Sequence, residues 1–133
     1  MSGVVEPDDL VLEERFKRLC LKLFGETEGP GVYEWIRSTR TPVFHRIAAQ
    51  VMLPVWELSR VDLRTKILCC VALFTGLHRD EVKFFVMMAK AHGIPEYELE
   101  EVILLTGLEA GFPTAEKAIQ IVKEVYGTEG AVA

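Results

Sequence analysis

The sequence predicts an all-α protein, and three observations support this class. Apolar residues recur at spacings of three and four along most of the chain, the period of a helix that buries one face. No stretch alternates apolar and polar residues as a half-buried β-strand does. Acidic, threonine and proline residues precede the periodic stretches and glycines follow them, as at helix starts and stops. Together these features predict a compact bundle of about six or seven helices.

The first predicted helix begins behind the capping candidates Asp8 and Asp9 and stops at Gly25. Its apolar positions follow helical spacing: Leu12, Phe16, Leu19 and Leu23. Residues 25–31, GETEGPG, predict a turn or linker, and residues 32–38, VYEWIRS, predict a short helix.

The middle of the chain predicts two helices. The first has Thr41 as its cap and Pro42 as its first residue, and it is expected to end at Pro54. The second starts at Asp62 and stops at Gly76. Because this helix is apolar nearly all the way round, other helices are expected to surround it at the centre of the core.

Three further helices are predicted towards the C-terminus. One opens with Asp80 and Glu81, acids that suit the positive end of the helix dipole, and stops at Gly93. Prolines open the other two, which are predicted from Pro95 to Gly111 and from Pro113 to Gly127. The last seven residues, GTEGAVA, are expected to be mobile.

Composition bounds the function. A chain of 133 residues predicts a single domain, and its net charge of -5 argues against a general binder of nucleic acid or anionic membrane. The stretch from Gly31 to Gly93 is locally basic, which suits either a small carboxylated ligand or ordinary solvated helix faces. The first residues lack a secretory signal pattern, and no apolar run approaches the roughly 20 residues that span a bilayer. We therefore expect a cytoplasmic protein.

The three cysteines form no disulfide framework. Cys69 and Cys70 are adjacent on an apolar helix, so their side chains diverge by about 100° and an ordinary disulfide between them is not expected. Buried free thiols in a reducing compartment are expected instead.

A pattern of five residues lies between positions 64 and 118: Arg64, Glu81, Gly93, Gly111 and Pro113. This pattern resembles the carboxymuconolactone decarboxylase family, which belongs with the alkylhydroperoxidase D-like proteins. The resemblance is firm over residues 60–120, while residues 1–30 supply an N-terminal helix and linker. It implies an alkylhydroperoxidase D-like fold, a homo-oligomer of three or six subunits, no cofactor and a place in the catabolism of aromatic compounds.

The family contains two chemistries, and this chain departs from both. The decarboxylase branch usually carries histidine at the position of Phe85 and tyrosine at the position of Glu109. The thiol peroxidase branch has a CxxC motif followed four residues later by histidine, where this chain has His78, Glu81 and Phe85. The resemblance therefore places the chain in a decarboxylase-like branch that lacks the CxxC motif.

Two acids are the candidate catalytic residues. Glu81 heads a largely apolar helix face and matches the glutamate common in the decarboxylase branch; alternatively, it only favours the helix dipole, by about 0.3 to 1 kcal/mol. Glu109 continues the row of Val102 and Leu105, so it is expected to point inward, where burial would raise its pKa and allow it to donate a proton. A frayed last turn that exposes Glu109 is the alternative.

Four further residues are candidates for binding substrate. The resemblance places basic residues at Arg64 and Lys66, and a cation there would hold a substrate carboxylate, although a salt bridge explains them as well. Phe85 would supply an apolar wall, and His78 takes the place of the first motif cysteine. The histidines show no metal-ligand spacing, so no metal site is assigned.

Three functions remain open at this stage. The first is a cofactor-independent decarboxylase of a small carboxylated lactone, such as a carboxymuconolactone or a related cyclic acid. Such an enzyme needs a cation, an apolar wall and a proton donor. The second is a thiol-dependent reductase of hydroperoxides, which requires an exposed cysteine of low pKa. The third is a non-catalytic or altered-reaction member that binds a small acid.

Overall fold

The computed structural model describes residues 7–129, and in this range the chain forms six α-helices and no strand, which confirms the all-α class. The helices are α1 (Pro7–Thr39), α2 (Pro42–Glu57), α3 (Leu63–Gly76), α4 (Val82–Ala91), α5 (Glu96–Ala110) and α6 (Phe112–Tyr126). The tail was expected to be mobile, and its residues from 130 onward lie outside the described range.

The contacts divide the chain into two compact units, unit 1 within residues 1–60 and unit 2 within residues 61–133. Unit 1 consists of α1 and α2, which pack together. Unit 2 consists of α3 to α6, in which α3 packs on α4, α5 and α6. The single domain of 133 residues stays a prediction.

Gly25 breaks α1 into two arms, because its φ of 86° and ψ of 166° are not helical. The arms fold back on each other, so that Phe16 and Tyr33 pack with their ring centroids 6.1 Å apart. The predicted stop at Gly25 is thus confirmed. The predicted turn or linker over residues 25–31 is wrong beyond Gly25, because the second arm is already helical before the predicted start at residue 32. Asp8 and Asp9 lie inside the first arm rather than before it, since α1 begins at Pro7.

The predicted start of α2 is confirmed and its predicted end is wrong. The Thr41 side chain accepts a hydrogen bond from the Phe44 backbone N–H, and Pro42 is the first helical residue. The helix continues through Pro54 to Glu57. Proline removes one backbone donor, but Pro54 is exposed, so water can reach the backbone carbonyl that this donor would have served.

The termini of unit 2 follow the sequence signals. Oδ1 of Asp62 accepts a hydrogen bond of 2.7 Å from the Thr65 backbone N–H and caps α3. Gly93, Gly111 and Gly127 adopt φ values of 72°, 108° and 74°, which favour glycine, and they follow α4, α5 and α6.

The prediction that α3 is surrounded on all sides is wrong. Only Ile67, Val71 and Thr75 are buried, whereas Leu73 is 56% exposed and Cys69 is exposed as well. Helices α4, α5 and α6 cover one side of α3, and an apolar circumference in the sequence does not specify how many sides are covered. For the same reason the expectation of buried thiols fails for Cys69, which is exposed, and Cys70 is only half-buried. The expectation is confirmed for Cys20, which is buried in α1.

Candidate functional site

His78 occupies an unusual backbone position at the end of α3. Its φ is 57°, the only positive φ of a non-glycine residue in residues 7–129. The His78 N–H donates to the Thr75 carbonyl and the Arg79 N–H donates to the Phe74 carbonyl, at 3.1 and 3.0 Å. This pair of bonds defines the Schellman motif, in which the left-handed position is usually glycine. Histidine therefore stands where backbone preference favours a residue without a Cβ.

The His78 ring meets Thr114 on α6. Oγ1 of Thr114 lies 2.6 Å from Nε2 and 3.3 Å from Nδ1, so a hydrogen bond joins the two side chains. The threonine is buried, at 4% exposure, while the histidine is exposed. This contact ties the turn after α3 to the first turn of α6.

A small concavity in unit 2 opens beside this contact, and we call it the His78 cavity. The space that the centre of a water-sized group can occupy is about 10 Å³. This is room for roughly one such group. One larger acid could therefore insert a carboxylate oxygen while its body stays outside. The lining consists of Phe74, Thr75, His78, Arg79, Val82, Thr114, Lys117, Ala118 and Ile121.

Thr75 gives this cavity its most specific polar feature. Its side chain is 2% exposed, and Oγ1 has no hydrogen-bond partner within the described chain. A buried hydroxyl without a partner costs about 1–3 kcal/mol, so such groups are rare in folded proteins. A ligand oxygen would remove this cost, because a hydroxyl both donates and accepts. To reach Oγ1, which is closed to solvent, that oxygen would have to displace a lining side chain.

Two cations stand at the cavity and each has an acidic partner. Arg79 donates to both carboxylate oxygens of Glu81, at 3.0 and 2.9 Å, and Nζ of Lys117 lies 2.6 Å from Oδ1 of Asp80. All four side chains are at least 44% exposed. Exposed pairs of this kind contribute about 0–1 kcal/mol, so an incoming anion can exchange with either acid at small cost.

The Arg79 guanidinium stabilises the ionised form of Glu81. Its hydrogen bonds, followed by the backbone hydrogen bond of Glu81, lower the pKa of that carboxyl to about 2. Glu81 is therefore ionised from weakly acidic to alkaline pH and holds no proton to donate there. Its predicted role as a catalytic acid lacks support in this arrangement.

The predicted site residues divide into two groups. His78 lines the cavity, Glu81 reaches it through Arg79, and Phe85 stacks on the lining residue Phe74 with ring centroids 4.8 Å apart. Three of the six predicted residues thus meet at one place.

Arg64 and Lys66 lie at the other end of α3, about 18 to 21 Å along the helix axis from His78 at 1.5 Å per residue. Arg64 donates to Glu98, which is the salt bridge that the sequence left open as an alternative. Lys66 is half-buried near the helix start and does not line the cavity.

The prediction that Glu109 faces inward is wrong for this chain. Glu109 is exposed and forms no hydrogen bond or ion pair within residues 7–129. The buried row of α5 is instead Leu99, Ile103 and Gly107, because Gly107 lets α6 approach closely. A Cβ at Gly107 would lie 2.6 Å from the Cβ of Ala115. Both sides of α5 are apolar, so spacing alone selected the wrong face.

Sequence reasoning missed Thr75, Thr114, Arg79 and Lys117. Thr75 offered a signal, since it is a polar residue on the buried row of Ile67 and Val71, four positions further along α3. The other three become site residues only through the packing of α6 against the turn after α3, which no local pattern specifies.

A second concavity of about 340 Å³ lies between α5 and α6. Its lining is Leu104, Phe112, Ala115, Glu116, Ile119, Gln120 and Lys123. This groove is mostly apolar and contains none of the predicted site residues. Within residues 7–129, no three histidine, cysteine or acidic side chains are placed to hold a metal ion, and no helix has the length and apolar character to cross a membrane.

Comparison with protein-family models, curated proteins and solved structures gives no match for this chain.

Proposed function

We propose that the protein binds the carboxylate of a small acid at the His78 cavity, as a non-catalytic or altered-reaction member of the family that it resembles. The observation that carries this proposal is the left-handed backbone of His78. Strained positions of this kind cluster at functional sites, where the surrounding structure maintains them. Here the left-handed residue lines the same cavity as Thr75, whose buried hydroxyl has no partner within the described chain.

The chemistry of the cavity suits one carboxylate. One ligand oxygen would accept from the Thr75 hydroxyl, and the other would meet Arg79 or Lys117 in place of Glu81 or Asp80. Arginine binds a carboxylate with two parallel N–H groups, as it already does with Glu81.

We rank binding without turnover above decarboxylation because a decarboxylase needs a proton donor, and neither predicted acid supplies one in the cavity. Glu81 is ionised at neutral pH, since its pKa is about 2, and Glu109 is an exposed residue that does not line the cavity. Neither predicted acid can therefore deliver a proton into the His78 cavity as the chain stands.

The second candidate is the cofactor-independent decarboxylase of a small carboxylated lactone, and the presence of the His78 imidazole in the cavity lining favours it. An imidazole is the side chain that donates a proton most readily near neutral pH. The substrate would lose CO2, its electron pair would move into the lactone carbonyl, and His78 would protonate the resulting dienolate. Phe85 keeps its predicted role beside the cavity through its stacking on Phe74. Arg64 and Lys66 lie at the other end of α3, so the cation that holds the substrate carboxylate would be Arg79 or Lys117 in their place.

The thiol-dependent reductase has the least support. Burial raises the pKa of the Cys70 thiol, which opposes formation of the nucleophilic thiolate. A homo-oligomer of three or six subunits and a cytoplasmic location belong to the proposal as well.

The experiment is calorimetric titration with a carboxylated γ-lactone and with its methyl ester, for the wild type and for Thr75→Val. Valine matches threonine in shape and removes the hydroxyl. We expect the acid to bind, the ester to bind at least tenfold more weakly, and Thr75→Val to weaken the acid by roughly tenfold, since one hydrogen bond to a charged group contributes about 1.5–3 kcal/mol.

A parallel assay for CO2 release separates the two candidates. Binding without CO2 supports the first candidate. CO2 release that is lost in a His78 variant supports the second. Equal affinity for the acid and the ester, or no effect of Thr75→Val on the binding of the acid, contradicts the His78 cavity as the site of either one.

A further inference from the structure

Helix α2 presents apolar residues on the side that faces away from α1. Its buried row is His45, Ala49 and Leu53, which packs within unit 1. The opposite side carries a row that we call the α2 stripe: Val43, Phe44, Ile47, Val51, Pro54 and Val55. Its five large members other than Pro54 are between 49% and 63% exposed. Contiguous exposed apolar rows of this kind mark interaction sites in soluble proteins.

The spacing of the stripe is that of a seam between two helices. Phe44, Ile47, Val51 and Pro54 follow one another at intervals of three, four and three, the heptad pattern of paired helices. The 16-residue helix is about 24 Å long, so the stripe covers more than two turns. A partner helix of similar length would cover it fully.

Charges along one edge of the stripe identify the partner. Arg46 and Glu57 are both exposed and lie about three helical turns apart, so they stand on the same edge. In an antiparallel pair related by a two-fold axis, each edge meets the same edge of the other copy. The axis would pass near Val51, midway between the two charges, and would set Arg46 of each copy against Glu57 of the other.

The existing contact of Glu57 leaves room for this pairing. Its Oε1 accepts from Arg15 at 2.6 Å, and a carboxylate has a second oxygen that can accept as well. In a parallel pair each edge would instead meet the opposite edge of the other copy, so Arg46 and Glu57 would not face each other. The edge of the stripe is therefore complementary to itself in the antiparallel orientation only.

We propose that α2 pairs antiparallel with α2 of a second copy of this chain, about a two-fold axis near Val51. The proposal identifies the surface and the orientation, and it limits the number of subunits. An assembly with this interface has an even number of subunits, as a dimer or a hexamer with two-fold axes does. A closed trimer has no such axis.

The test is light scattering of the full chain, of Val51→Glu and of Val11→Glu. Val51 and Val11 are 63% and 60% exposed, so the second variant controls for a new charge on an exposed valine of unit 1. Val51→Glu sets two carboxylates together at the axis, and we expect the dissociation constant to rise on the order of 100-fold and the mass to halve. Val11→Glu should keep the wild-type mass. Far-UV circular dichroism checks that both variants are helical.

Charge reversal tests the orientation. Arg46→Glu places an acid opposite Glu57 of the partner subunit and should weaken the pair at least tenfold. Adding Glu57→Arg to Arg46→Glu restores opposite charges and should restore the mass. A wild-type mass of 15.0 kDa or of an odd multiple overturns the proposal. So does equal dissociation by Val51→Glu and Val11→Glu, or failure of the double variant to recover.

Discussion

Replacing His78 with glycine separates the function of this residue from its effect on stability. Glycine relieves the left-handed strain, which costs roughly 1–2 kcal/mol for a residue with a Cβ. The same change removes the hydrogen bond to Thr114, which contributes about 0.5–1.5 kcal/mol, and adds up to about 1 kcal/mol of unfolded-chain entropy for glycine. These effects offset one another, so the free energy of unfolding should change by less than about 1 kcal/mol.

His78→Ala is the matched comparison. Both variants lose the hydrogen bond, but alanine keeps the Cβ and therefore the strain. Because glycine gives back part of this gain as unfolded-chain entropy, His78→Ala should be less stable than His78→Gly by about 1 kcal/mol. Denaturant unfolding followed by far-UV circular dichroism measures the difference. Dichroism is required because both tryptophans, Trp35 and Trp56, lie within residues 1–60 and do not report on unit 2.

Both variants should lose binding of the carboxylated lactone by at least tenfold, although only one of them loses stability. This combination is the signature of a residue kept for its ring rather than for the fold. If His78→Gly is clearly less stable than His78→Ala, the strain argument fails. If His78→Gly binds the acid as the wild type does, the histidine has no role at the cavity.

Three further predictions concern stability. Gly107→Ala should destabilise the protein by about 1–2 kcal/mol in denaturant titration, because its Cβ would meet that of Ala115 at 2.6 Å. Gly31→Ala is the control: its Cβ would meet no atom, so this variant should be neutral or stabilising. The reverse order of stability would contradict the packing of α5 on α6. Glu13→Gln should cost about 1–3 kcal/mol by tryptophan fluorescence. This carboxylate, on the first arm of α1, accepts from the second arm and lies at ion-pair distance from His45 on α2, and an unchanged midpoint would refute its importance. Burial and the charge of Glu96 raise the pKa of Tyr126 to about 12. The contribution of neutral Tyr126 to the free energy of unfolding is therefore present below pH 10 and declines as pH rises towards 12. Tyr126→Phe should remove that decline from the unfolding curves, and an identical decline in both proteins would exclude Tyr126 as its cause.

Glu13 shows how much of unit 1 was open to prediction. Its Oε2 accepts from Tyr33 and from Arg37, the latter at 2.8 Å, and its Oε1 lies 2.6 Å from Nε2 of His45. The histidine contact has the distance of an ion pair but lacks hydrogen-bond geometry. The sequence predicted the helices that carry these residues, yet no spacing rule brings position 13 to positions 33 and 45. That meeting depends on how the arms of α1 fold back at Gly25.

Helix boundaries were predictable for a local reason. The caps at Thr41 and Asp62 and the stop at Gly127 depend on bonds within four residues, which neighbouring sequence determines. The prediction failed at Pro54, where solvent exposure allowed a helix to continue through a proline. Exposure is a tertiary property, so local signals did not contain it.

The candidate site was predictable only in part for the same reason. His78 and Phe85 came from the position of the resemblance, and both lie at or beside the cavity. Glu109 was misplaced because both sides of α5 are apolar, and the choice between them was made by the close contact at Gly107. Thr114 and Lys117 belong to α6 and reach the cavity only through packing.

The most direct test of the His78 cavity is the ring nitrogen spectrum of the three histidines during titration with the carboxylated lactone. His45 lies in unit 1, so its signals serve as an internal control. The account predicts that the His78 ring signals move in proportion to the bound fraction while those of His45 remain unchanged. Saturable binding that leaves the His78 signals in place would contradict the account.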